Sequence, residues 1–200
     1  MVASINAGAA LTTVDLDGDD VLSASSGDVT VELDESNLLG VVTYAGSLAG
    51  ITGAGTEVTV SLARSADKEA APNSTVTLPI DVDLSAPAAG TAFSRENDDI
   101  TVEIVTEASD DDLRLSWTGD CVDSGGLDVP SGQASVTIAK GSIVKRAQID
   151  ENDPDSQPVP DSCTVTITIT RTTIGSLDPA LGGGEIRAVS SGSRDITSNL

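Results

Sequence analysis

Histidine is absent from the 200 residues, and aromatic side chains nearly so: Tyr44, Phe93 and Trp117 are the only three. Without histidine there is no Ser–His or Cys–His nucleophile pair and no imidazole metal ligand. With so few rings there is no aromatic-lined sugar cleft beside the carboxylates, and no platform on which nucleic-acid bases could stack. No glycine-rich loop ends in Lys-Ser or Lys-Thr, so the phosphate cradle of nucleotide-binding proteins is missing. Gly182-Gly183-Gly184 reads instead as a hinge. Charges interrupt every apolar run well before the length of a membrane span. Met1 to Asn6 lacks the basic start of a signal peptide, which leads to the expectation of exit from a cell by another route, such as release inside a virus particle on lysis. The absences together give the expectation of a non-enzymatic protein with no membrane insertion and no required cofactor.

Basic residues are scarce as well. Ten stand against 32 acids, for a formal net charge of -22, and only Lys68, Lys140 and Lys145 are lysines. Aspartate outnumbers glutamate by 23 to 9. A compact chain of this charge repels itself at low salt, and screening ions relieve the repulsion. Nucleic acid is not expected as a direct partner, because its phosphates would meet a negative surface. High Asp, scarce Lys and abundant Ala, Val, Thr and Gly resemble the proteins of salt-loving archaea and their viruses. A calcium-rich marine or extracellular setting is the alternative source of such a composition.

What is present is period two. Glu57 to Leu62, Thr75 to Leu78, Ile80 to Leu84, Ile100 to Val105, Leu113 to Trp117, Ala134 to Ile138, Ile143 to Ile149 and Cys163 to Thr170 all alternate polar with apolar. Each would turn one face to an apolar layer and one to water. The Val and Thr content favours strands, and clusters of Gly, Asp, Pro, Ser and Asn separate the runs. Helical periodicity is confined to one short turn near Leu177 to Leu181. The pattern predicts an all-β fold, an antiparallel β-sandwich of Ig-like or jelly-roll type, with an extended N-terminal region and a C-terminal arm. The expected division is 1–55, a looser strand-containing region or small subdomain; 56–172, the sandwich; and 173–200, an arm with one short strand, Glu185 to Val189. With Val, Ile, Leu and Ala in place of rings, each core residue buries modest area.

Asp128-Val129-Pro130-Ser131-Gly132-Gln133-Ala134-Ser135-Val136-Thr137-Ile138-Ala139-Lys140-Gly141-Ser142 leads to a further strand, then to Asp150-Glu151-Asn152-Asp153-Pro154-Asp155, then to Asp161-Ser162-Cys163-Thr164-Val165-Thr166-Ile167. This succession resembles the C-terminal half of a Calx-beta domain: a glycine turn, a strand, a glycine hairpin, a strand, an acidic loop and a last strand. The likeness covers about 128–170, with Cys163 where the family carries an aromatic and with Gln157 to Pro160 lengthening the loop. It implies an Ig-like sandwich that binds calcium, and it makes Asp150, Glu151, Asp153 and Asp155 candidate ligands. A second candidate rests on the residues alone. Asp15, Asp17 and Asp19 occupy positions 1, 3 and 5 of an EF-hand-type calcium loop, but position 6 is Asp20 rather than glycine and position 12 is Ser26. Either cluster reads equally as a solvated acidic turn.

Cys121 and Cys163 pair with each other, or stay free as small buried hydrophobes. Trp117 is the largest side chain of the core, or an interface anchor. Asn73-Ser74-Thr75 is a glycosylation sequon. The expected function is structural: a virion component of a halophilic tailed virus, such as a capsid decoration, turret or tail protein. Its partners would be other virion proteins and copies of itself in a homo-oligomer, and its location the virion. The alternative is a calcium-stabilised adhesin or surface-layer binding module, extracellular or at the cell surface.

Overall fold

Alternation of Val, Ile and Leu with Thr, Ser and Asp produces strands throughout a computed structural model of the chain. The structure describes residues 5–6, 16, 18–38, 41–51, 53–65, 68–147 and 158–200. By its internal contacts the chain divides into two units, 1–80 with 172–190, and 81–171 with 191–200.

In the first unit the strands are β1 (Ile5–Asn6), β2 (Val21–Ser26), β3 (Val29–Glu32), β4 (Asp34–Leu38), β5 (Val41–Ala45), β6 (Glu57–Ala63) and β7 (Ala71–Thr77). β3, β2, β6 and β7 form an antiparallel sheet in that order, and β4 pairs with β5 in a hairpin. Gly27 takes φ 55° in the two-residue turn between β2 and β3, a conformation that a side chain would oppose. The core of this unit is small: Ala24, Val58, Val60, Val76, Leu78, Ile186 and Ala188.

The second unit contains β8 (Val82–Ala86), β9 (Ala92–Ser94), β10 (Ile100–Thr106), β11 (Asp112–Gly119), β12 (Val122–Val129) and β13 (Ser135–Ile138). Two long strands carry residues of both units: β14 (Cys163–Ile174) and β15 (Glu185–Asn199). β10 lies between β13 and β8 in one sheet. In the other, β14 lies between β11 and β15, with β12 beyond β11. β9 joins β15 in parallel. The chain thus crosses to the second sheet for β9, returns for β10, and changes sheet again between β10 and β11, between β12 and β13, and between β13 and β14. That strand order is immunoglobulin-type rather than jelly-roll.

Both sheets contribute to one core. Val82, Leu84, Ile100, Val102, Ile104 and Ile138 come from the first, and Leu113, Leu115, Trp117, Val129, Val165, Ile167, Ile169 and Ile196 from the second. Trp117 is 6% exposed and belongs to this core. Opposite it in the β11–β12 register stands Gly125. A Cβ there would lie 2.5 Å from the Trp117 ring, so the glycine is what lets the indole spread over β12.

Three sequence expectations change. The division falls between residues 80 and 81 rather than 55 and 56, because β6 and β7 pair with β2 and not with the later strands. The C-terminal arm is strand for most of its length, since β14 and β9 supply the backbone partners that its Ser- and Gly-rich sequence does not advertise. Of the strand expected over Ile143 to Ile149, the described part keeps only a bridge between Lys145 and Val122. The helical turn expected near 177–181 is a 3-10 turn, Pro179–Leu181.

Gly125→Val is expected to destabilise the chain by about 1–3 kcal/mol through overpacking against the indole. Urea unfolding at fixed salt, followed by the fluorescence of Trp117, measures the loss; an unchanged midpoint would contradict the packing described.

Candidate functional site

β14 has two unlike faces. Val165, Ile167 and Ile169 point inward and are fully buried, while Thr164, Thr166, Thr168 and Thr170 point outward. The neighbouring strands continue the outward face with Ser116 and Thr118 on β11 and Ser193 and Thr197 on β15. The Thr166 hydroxyl donates to Asp195 Oδ1 at 2.6 Å. Among the residues whose side chains are described, the exposed charged ones on β11, β12, β14 and β15 in this unit are Arg114, Asp123, Asp128 and Asp195. Arg114 Nη1 donates to Asp128 Oδ1 at 2.7 Å, so two of these four charges answer each other. In a chain of net charge -22, a hydroxyl-rich face with few charges is a distinct surface.

The face ends in an open cleft of about 360 Å³ lined by Thr118, Gly119, Asp120, Ser124, Arg146, Thr164 and Thr166. Arg146 Nη2 donates to the carbonyls of Gly119 and Val122 at 3.0 and 3.1 Å, which fixes the guanidinium on the β11–β12 turn. The lining is hydroxyl, guanidinium and carboxylate, with no apolar wall. Such a cleft suits water and polar contacts better than the apolar body of a small-molecule ligand.

A covalent link holds this end together. Cys121, in the β11–β12 turn, is bonded to Cys163 at the start of β14, with Cα atoms 5.8 Å apart. Beside it lies Arg95, 5% exposed. Arg95 Nη1 donates to Ser198 Oγ at 3.1 Å and meets Cys121 Sγ at 3.4 Å, and Nη2 donates to the Asp161 carbonyl at 2.9 Å. Lys145 Nζ donates to Asp161 Oδ1 at 2.5 Å. That hydrogen bond, the Lys145 charge and the more distant charge of Arg95 together hold the Asp161 carboxyl below its ordinary pKa, against a smaller opposing effect of burial.

The calcium candidates are distributed differently. Asp15, Asp17, Asp150, Glu151, Asp153 and Asp155 lie outside the described residues. Asp19 is exposed in a turn. Among the described residues no three acidic, cysteine or histidine side chains gather in a way that could hold a metal ion. Asp20, which takes the place of the glycine in the motif, is buried and engaged: Arg64 Nε donates to Oδ2 at 3.2 Å, Ser65 N donates to Oδ1 at 3.4 Å, and Lys68 Nζ is 3.8 Å away. Burial pushes its pKa up, but Arg64, the Ser65 N–H and Lys68 together outweigh that and lower it. In the sequon, Asn73 is exposed on β7 and Ser74 is buried, its hydroxyl accepting from Asp178 N at 3.1 Å.

Sequence reasoning named β14, the cysteines and Trp117. It missed Arg95 and Asp20, because a charged side chain carries no signal in the sequence that it will be buried. The outward threonines were visible in the alternation, but not which strands would extend their face. Comparison with protein-family models finds no match for the chain, and comparison with curated protein sequences finds none either.

Replacing Cys121 and Cys163 with serine is expected to cost up to about 4 kcal/mol, the chain-entropy value for a separation of 42 residues. Denaturant unfolding of the double variant checks this, and wild-type stability in it would mean that the bond constrains little. For Asp20 the folded pKa lies below its ordinary 3.8, so its contribution is complete above the unfolded pKa and is lost as pH falls through the folded value. Below about pH 4, Asp20→Asn should therefore show a shallower acid loss of stability than wild type. Parallel melting curves from pH 6 to pH 2 for the two proteins would contradict it.

Proposed function

We propose that this chain is a non-enzymatic structural subunit, foremost a virion component of a halophilic tailed virus: a capsid decoration, turret or tail protein. The observation that carries the proposal is the pairing of extreme acidity with a hydroxyl-rich, sparsely charged face on the sheet of the second unit. Copies carrying -22 each repel one another over most of their surface, and salt relieves only part of that. A face whose hydroxyls both donate and accept is self-complementary, so two copies, or a copy and a particle, can meet over the threonines of β14 at little electrostatic cost. The acidic remainder keeps the assembly soluble in brine.

A second reading, a calcium-stabilised adhesin or surface-layer module, draws support from the disulfide, a bond characteristic of oxidising surroundings outside the cytosol. It requires melting that depends on calcium at constant ionic strength.

Sedimentation velocity in molar salt, with and without calcium, separates the two. A discrete oligomer that shifts towards monomer when Thr168→Asp places a charge on the face, with unchanged melting temperature, is the expected result. A wild-type monomer in every salt, with no affinity for a particle, would remove the structural proposal; a monomer stabilised only by calcium would leave the adhesin module.

A further inference from the structure

The second unit buries two arginines, and they are not alike. Both terminal nitrogens of Arg95 have acceptors, its Nε alone has none among the described residues, and the carboxylate of Asp161 is near enough to feel its charge. Arg171 occupies the inward position of β14 that follows Val165, Ile167 and Ile169, and it is 1% exposed. Its Nη2 donates to the Glu107 carbonyl at 3.2 Å. Its Nε and Nη1 are buried and have no hydrogen-bond partner among the described residues. No ion pair among the described residues includes it.

A guanidinium cannot relieve this by losing its proton, as a buried lysine does. A buried ion with neither counter-charge nor a full set of hydrogen bonds is strongly destabilising, and such a group in a native protein calls for an ion or water beside it. Water would satisfy an N–H but leave the charge unanswered. In a chain with 32 carboxylates to 10 basic groups, none is spent on Arg171 among the described residues.

We propose that Arg171 binds a small inorganic anion, a halide such as chloride, at its free nitrogens. A halide brings one negative charge for one positive charge, accepts an N–H from any direction, and needs little room. A doubly charged oxyanion would bring more charge into the buried site than the one guanidinium answers. The site makes part of this chain's stability depend on an ion that binds rather than on ions that screen. It depends only on the burial of Arg171 and not on the structural role proposed above.

Two measurements on the full chain test it. Stability is followed against chloride at constant ionic strength, with gluconate as the replacing anion, in wild type and in Arg171→Met. The wild-type folding constant should rise about tenfold for each tenfold of chloride above the dissociation constant, and the variant should lack that rise. Wild-type crystals soaked in bromide should show an anomalous peak within hydrogen-bonding distance of Nε or Nη1. Equal chloride dependence in the two proteins, or water alone beside the guanidinium, would overturn the proposal. Should Arg171→Met fail to fold, the bromide soak decides alone: a peak supports the site and its absence refutes it.

Discussion

The inward side of β14 is the contact on which the second unit depends. Val165, Ile167 and Ile169 are completely withdrawn from water, and the strand that carries them is hydrogen-bonded to β11 on one side and β15 on the other. Fully burying side chains of this kind is worth about 1.5–3 kcal/mol each. With one Trp and one Phe in the chain, no ring cluster can substitute for that aliphatic layer. The disulfide at the start of β14 and the Arg95 contacts beside it hold the same strand to the β11–β12 turn and to the end of β15. What the outward threonines can do follows from this, because a face is useful only where the strand behind it is fixed.

Electrostatics is arranged unusually. The acids lie mainly at the surface, where salt screens them, while two of the ten basic residues are buried. Arg95 links chain segments through carbonyl, hydroxyl and sulfur. Arg171 faces its surroundings with two unused nitrogens. Asp20 is the reverse case, a buried carboxylate ringed by Arg64, Ser65 and Lys68. An acidic protein in concentrated salt has little use for surface ion pairs, since exposed pairs are weak and become weaker as salt rises. Arg95 and Asp20, both buried and engaged, are different, because low polarity around them preserves the interaction.

The strand content was legible because period-two alternation survives a reduced alphabet. Ile100 to Ile104 and Cys163 to Thr170 show it without interruption, and both lie in strands. The second half of β15 was not legible. Ser190, Ser191, Gly192 and Ser193 have low strand propensity and become strand because β15 runs beside β14, which offers backbone partners. β12 escaped for a related reason: Gly125 and Gly126 break its pattern, and the first of them is explained only by the indole lying over it. At the candidate site the threonines could be read off, whereas their extension by β11 and β15 required the strand order.

By itself, then, the sequence determined an all-β chain, a core poor in rings, a strongly acidic composition and two cysteines able to form a single bond. These are properties of composition and of near-neighbour spacing, which backbone geometry converts directly into strands and faces. The tertiary structure decided the immunoglobulin-type order of the second unit, the partners of β15, and which charges lie inside. Those depend on contacts between residues far apart in the chain, such as Cys121 with Cys163 and Arg95 with Ser198, whose free energies no local pattern records.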